Sequence, residues 1–83
     1  MFHVDILQSE KDQKFYIGAT SDLTMRLVWH NEGKNKSTTY RRPFHLMYSE
    51  QYQTKKETLA RERQIKDYKG GEAFKKLLHG GFA

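Results

Sequence analysis

Residues 14–20 read K-F-Y-I-G-A-T, and this stretch decides the fold. In a strand successive side chains alternate faces, so Phe15 and Ile17 share one side while Tyr16 and Gly18 share the other. The apolar pair calls for a core on its side. Tyr16 faces away from that core, which raises the question of whether the face it shares with Gly18 holds a site.

Upstream, Phe2 to Gln8 alternates Phe2, Val4 and Ile6 against His3, Asp5 and Leu7, which predicts a strand. The polar run Ser9–Gln13 between the two strands predicts a β-hairpin with a loop of several residues. Downstream, Thr20, Ser21 and Asp22 are candidate N-caps for a helix to about Glu32, and Gly33 offers the left-handed residue that ends it. Lys34 to Pro43 (K-N-K-S-T-T-Y-R-R-P) has no periodicity and reads as a basic loop. Phe44–Tyr52 reads as a third strand, with Phe44, Leu46 and Tyr48 expected on one face. Thr54 and Glu57 form a T-x-x-E capping box that opens a helix to about Tyr68. Gly70-Gly71 interrupts the chain, Phe74, Leu77 and Leu78 mark a last short helix, and Gly80-Gly81 closes it. The order is β-β-α-β-α-α. Three strands need helices on a face to bury their apolar side, so the expected class is α+β: one domain over residues 1–83, with a small three-stranded antiparallel sheet flanked by helices.

Composition narrows the function. A chain of 83 residues buries only about 60–70 % of its unfolded surface, so its core is small. With no cysteine there is neither a disulfide framework, a disulfide-linked partner nor a Cys-based zinc site, and His3, His30, His45 and His79 lack ligand spacing. No apolar run approaches the roughly 20 residues of a membrane span, and no signal peptide is visible; the expectation is a soluble cytoplasmic protein without a membrane partner. The net charge of +5 is uneven: residues 1–33 carry −2, residues 34–54 carry +3 and residues 55–83 carry +4. A basic surface favours a polyanion, because each neutralised phosphate releases counterions; lysine-rich solvated helices are the plain alternative.

Four side chains stand oddly for core or surface. Arg26 and His30 fall one turn apart on the first helix, at the margin of an apolar stripe with Trp29 on one edge and Leu23 and Leu27 on the other. They either reach water as a solvated helix edge or meet a partner. On the second helix Glu62 falls between Leu59 and Ile65, the apolar side. Its plain reading is an i,i+4 pair with Lys66; the alternative is a hard divalent cation, for which one carboxylate plus waters and phosphates is enough. Tyr16, Arg26, His30 and Glu62 together supply what phosphodiester hydrolysis needs: a group to activate water, a cation for the pentacoordinate phosphate, and a metal for the leaving oxygen.

These residues lie in segments that resemble the GIY-YIG nuclease superfamily, particularly its small stand-alone bacterial members related to the N-terminal domain of the nucleotide-excision repair subunit UvrC. The likeness is carried by Tyr16-Ile17-Gly18 as the second signature triplet, Ala19-Thr20-Ser21-Asp22-Leu23, Arg26-Leu27, His30-Asn31-Glu32-Gly33, Arg41-Arg42-Pro43 and Arg61-Glu62-Arg63-Gln64-Ile65-Lys66. The resemblance implies a metal-dependent endonuclease acting on DNA. Tyr16 would help deprotonate or orient the attacking water, Arg26 would stabilise phosphate charge, and His30 would assist proton transfer or contact the phosphate. Glu62 would hold one Mg²⁺ or Mn²⁺. Lys34, Lys36, Arg41 and Arg42 would grip the nucleic-acid backbone, which positions it without reading bases.

The resemblance has one departure. The first triplet aligns with His3-Val4-Asp5, so Asp5 stands where the family usually has a tyrosine. An aspartate there is a possible base or second carboxylate near the metal, a group that abolishes cleavage, or a solvated residue on an exposed strand. The rival function is a non-cutting nucleic-acid-binding module on the same fold. A protein-interaction module would rest on Trp29, Tyr40, Tyr48 and Tyr52, which read more simply as core or sheet-face side chains.

Overall fold

The hairpin forms where alternation predicts it. Strand β1 (Phe2–Ser9) pairs antiparallel with β2 (Phe15–Thr20), and strand β3 (Phe44–Tyr52) pairs antiparallel with the other edge of β1, giving the order β2-β1-β3. The computed structural model describes residues 1–34 and 39–80. Helix α1 (Leu23–Asn31) follows β2, a 3₁₀ turn (Thr39–Arg41) precedes β3, and α2 (Lys55–Asp67) and α3 (Glu72–Gly80) complete the expected β-β-α-β-α-α order.

Local chemistry sets the helix ends. Asp22 Oδ1 accepts from the Met25 backbone N–H at 3.0 Å, so the last of the three candidate caps is the one used. Gly33 follows the C-cap at φ +75°, the left-handed conformation that glycine adopts without penalty. Thr54 Oγ1 accepts from Glu57 N–H at 3.2 Å and donates to the Glu57 carboxylate at 2.8 Å, a side-chain-closed cap of α2.

The sheet separates two environments. Val4, Ile6 and Tyr48 face α2 and α3 and form the main core with Ile65 and Phe74, joined by Ile17, Met47, Leu77 and Leu78. Each fully buried aliphatic side chain here contributes about 1.5–3 kcal/mol, and the Phe15 and Phe74 rings meet edge-on at 5.2 Å. The stripe on α2 differs from the expected one. Leu59 is exposed, and Thr58 takes the buried place one residue earlier. Its hydroxyl donates to the Thr54 carbonyl at 2.8 Å, which satisfies it in the core.

The pairing of β1 with β3 corrects the expected face of the third strand. Ile6 lies opposite Tyr48 but Leu7 lies opposite Leu46, so Met47 is an extra residue in a β-bulge. The slip moves Phe44 and Leu46 to the other face from Tyr48. Phe44 thereby joins Asp5, Leu7 and Ser9 on the side covered by α1.

Candidate active site

On that second face the structure brings together three of the four odd residues. Gly18 lies opposite Asp5 in the hairpin, and the Arg26 guanidinium reaches down from α1 over Gly18. A Cβ on residue 18 would come within 2.2 Å of Arg26 Nη2. The glycine therefore serves close approach, and its reward is the pair beneath: Arg26 Nε stands 2.6 Å from the Oδ2 of Asp5, which is fully buried. The approach is close enough for an ion pair but off the line of a hydrogen bond, and among the described residues neither Asp5 oxygen has a hydrogen-bond partner. Burial drives the Asp5 carboxyl above its ordinary range, Arg26 pulls against that, and the Glu62 charge adds to the upward push. Asp5 is no solvated strand residue.

His30 sits one turn along α1 and is buried. Its Nε2 lies 3.2 Å from Arg26 Nη1. Arginine only donates, so Nε2 accepts and Nδ1 carries the ring proton. Burial, then the Arg26 charge, lowers the His30 pKa and keeps the ring neutral. The solvated-edge reading fails for this residue.

Tyr16 reaches the same place through Phe44. The Tyr16 and His30 rings both meet the Phe44 ring edge-on, at 5.3 and 5.4 Å. The bulge in β3 is what supplies this shared ring. Arg41 Nη1 donates to the Tyr16 hydroxyl, so the phenol's own O–H is left to point elsewhere. Arg41 also pairs with Asp12 at 3.4 Å and lies over the Tyr40 ring at 5.0 Å. Its hydrogen bond to Tyr16 raises its pKa, so it stays cationic.

The remaining expected residues have other partners. Glu62 is on α2, ion-paired with Lys66 at 2.9 Å as the plain i,i+4 reading has it, and it acts on Asp5 only through space. Lys34 is exposed beside Glu32 at 3.6 Å, and Arg42 is exposed with its guanidinium next to Gly33. Arg41, expected to grip a backbone, is instead turned inward onto Tyr16. Lys36 lies outside the described residues.

Three residues that sequence reasoning left unassigned hold the site together. Asn31 clamps the start of β3, accepting from Phe44 N–H at 2.6 Å and donating to Phe44 C=O at 3.2 Å. Buried Ser9 donates to the Arg41 carbonyl and accepts from the Lys11 and Asp12 N–H groups, each at 3.2 Å. Phe44 is the third. Asn31 and Ser9 each stand at the end of an element, where a short polar side chain is a visible signal for a backbone tie; Phe44 gives no such signal.

The family model for the GIY-YIG catalytic domain matches residues 1–75. The chain belongs to the GIY-YIG family. It is 41% identical over 70 residues to a UPF0213 protein of Staphylococcus epidermidis, covering 83% of this chain and 85% of that one. It is 47% identical over 58 residues to a UPF0213 protein of Staphylococcus aureus, covering 69% of this chain and 71% of the relative. The solution NMR structure of a UPF0213 protein from Bacillus halodurans superposes with a TM-score of 0.58 at 28% identity, over 99% of this chain and 88% of that one.

GIY-YIG nucleases generally use a divalent metal ion. Among the described residues no group of three or more His, Cys, Asp or Glu side chains is arranged to hold one. The donor expected from the sequence is the Glu62 carboxylate. It suits a hard cation that keeps most of its shell as water and phosphate oxygens, once Lys66 gives way. No helix among the described residues is long and apolar enough to cross a membrane.

Proposed function

We propose that this GIY-YIG protein is a metal-dependent endonuclease that hydrolyses phosphodiester bonds in DNA. The observation that carries the reading is the convergence of Tyr16, Arg26 and His30 on one sheet face, with Gly18 clearing the way for the guanidinium. Arg26 spends Nε on Asp5 and Nη1 on His30; its Nη2 takes no acceptor among the described residues and is the donor for a phosphate oxygen. Neutral His30 accepts from Arg26 and fixes the plane of the guanidinium, and its role becomes positioning before proton transfer. Tyr16, held by Arg41, has its hydroxyl oriented by that donor and directs the attacking water toward phosphorus. Glu62 would hold Mg²⁺ or Mn²⁺, which would supply charge for the leaving oxygen. Lys34, Lys36 and Arg42 contribute backbone attraction, while Arg41 supports Tyr16.

A specific observation favours a second reading. The Asp5 carboxylate already neutralises Arg26, which is what a domain that binds nucleic acid without cutting it would show.

Cleavage of supercoiled plasmid and of a branched oligonucleotide, with Mn²⁺ or Mg²⁺ and with EDTA, separates the two. Metal-dependent nicking is expected, abolished in Glu62→Ala and reduced about 10²–10³-fold in Arg26→Ala, the usual loss when one preorganised charge donor is removed. Cleavage by Asp5→Tyr alone would mean a scaffold silenced at one position. Binding without cleavage by either protein would establish the binding module.

A further inference from the structure

Helix α1 turns an apolar face outward beside the site. Trp29 is 43% exposed, Met25 59% and Val28 39%, although Trp29 reads in the sequence as a core side chain. Met25 and Trp29 are one turn apart and form the wall of a cleft of about 310 Å³, whose other lining residues are Ala19, Thr20 and Arg26. Arg26, whose guanidinium rests on Asp5, also lines it.

A chain of ring contacts leads from this cleft under the site. The Trp29 and His30 rings meet edge-on at 5.7 Å, His30 meets Phe44, Phe44 meets Tyr16, and Arg41 links Tyr16 to Tyr40, which is 58% exposed. The candidate site is thus bracketed by two exposed aromatics, each beside an arginine. Alternating cations and aromatic faces suit a strand whose phosphates and bases alternate, and stacking is tolerant of sequence because every base has a π-face. A base within a duplex has both faces covered by its neighbours and cannot use Trp29.

We infer that the Met25–Trp29 cleft is a subsite for one unpaired nucleobase, with Trp29 as the stacking platform and Arg26 receiving the phosphate of that nucleotide. The inference deepens the nuclease reading and rests on nucleic acid being the ligand. It names the preferred substrate as a strand unpaired next to the cleaved bond. A protein partner fits less well, because a cation lines the cleft.

Trp29 is the only tryptophan in the chain, so its fluorescence reports the subsite directly. In EDTA, which prevents cleavage, oligothymidylate should quench Trp29 emission, and a blunt duplex of the same length at the same salt should leave it unchanged. Trp29→Leu should weaken binding of a labelled oligothymidylate about tenfold or more, as expected for losing one stacked base. Trp29→Phe should keep most of the affinity. The slope of log affinity against log salt should be the same in both variants, because no phosphate contact is lost. Equal quenching by duplex, or full affinity in Trp29→Leu, overturns the inference. So does a dimer that Trp29→Leu dissociates, since a second copy would then cover the face. Metal-dependent nicking that ignores Trp29→Leu refutes the subsite and leaves the nuclease reading intact; quenching without any cleavage does the reverse.

Discussion

The two faces of the sheet each carry an arginine–carboxylate pair, and the pairs are built differently. On the α2 face Glu50 accepts from Arg61 Nε at 2.8 Å and Nη2 at 3.0 Å, and from the hydroxyls of Tyr48 and Tyr52, the latter at 2.6 Å. Burial pushes the Glu50 carboxyl up, but Arg61, Tyr48 and Tyr52 together outweigh it and hold the pKa below the ordinary value. Burial and the bond to Glu50 push the Tyr48 phenol up to about 12. On the α1 face Asp5 has, among the described residues, Arg26 as its ion-pair partner, off-angle, and burial wins. The saturated pair is a structural lock that leaves its donors nothing more to do. The unsaturated pair keeps a guanidinium donor available to an incoming anion, at some cost in stability.

Arg61→Met tests the lock and carries the largest expected effect. It should cost about 3 kcal/mol in urea unfolding, because it strands a part-buried carboxylate. A loss under 1 kcal/mol would put the two pairs on the same footing. Gly18→Ala sharpens the other side. Its new Cβ collides only with the end of a flexible arginine, so unfolding should change by about 1 kcal/mol while cleavage falls about 10²-fold, near the loss expected from removing Arg26 itself. Activity surviving in Gly18→Ala would show that the guanidinium need not lie on Asp5. Asp5→Asn should alter stability by less than about 1 kcal/mol, since the burial cost of the carboxylate offsets its attraction to Arg26 and the part-exposed guanidinium left behind can turn to water; a loss comparable to that of Arg61→Met would erase the distinction between the faces.

The smallest effect is a pH slope. The folded-state pKa of His30 is lowered, so below the ordinary value of 6.5 the unfolded chain takes up a proton first. The His30 contribution is therefore present above that value and is lost as pH falls beneath it. Melting temperature should decline from pH 7 toward pH 5.5, and His30→Phe should flatten that part of the curve. An unchanged slope in the variant would mean that His30 titrates as freely as in the unfolded chain.

Much of the fold was legible because its signals are local. The period-two runs at residues 2–8 and 15–18, the Asp22 cap, the Thr54–Glu57 box and Gly33 act over a few residues and need no partner from elsewhere. The residues gathered on the α1 face were legible for a similar reason: Arg26 and His30 share a helix side, and Tyr16 faces away from Phe15 and Ile17. Leu59 misled because apolarity alone cannot say which side of a short helix turns inward, and a threonine bonded to its own helix can be buried more cheaply than expected.

The sequence by itself determined the order of the strands and α-helices, the caps that start α1 and α2, and which polar side chains would need an explanation. Tertiary structure alone decided three things. The Met47 bulge carried Phe44 across the sheet to support Tyr16 and His30, which no alternation pattern encodes. Arg41 turned from the basic loop onto Tyr16, because Asp12 and the Ser9 tie lie there to receive its segment. Asp5 became the counter-ion of Arg26, since the gap at Gly18 lets a helix side chain reach the central strand. Each of these depends on register and approach between segments distant in the chain, and periodicity within one segment carries no information about either.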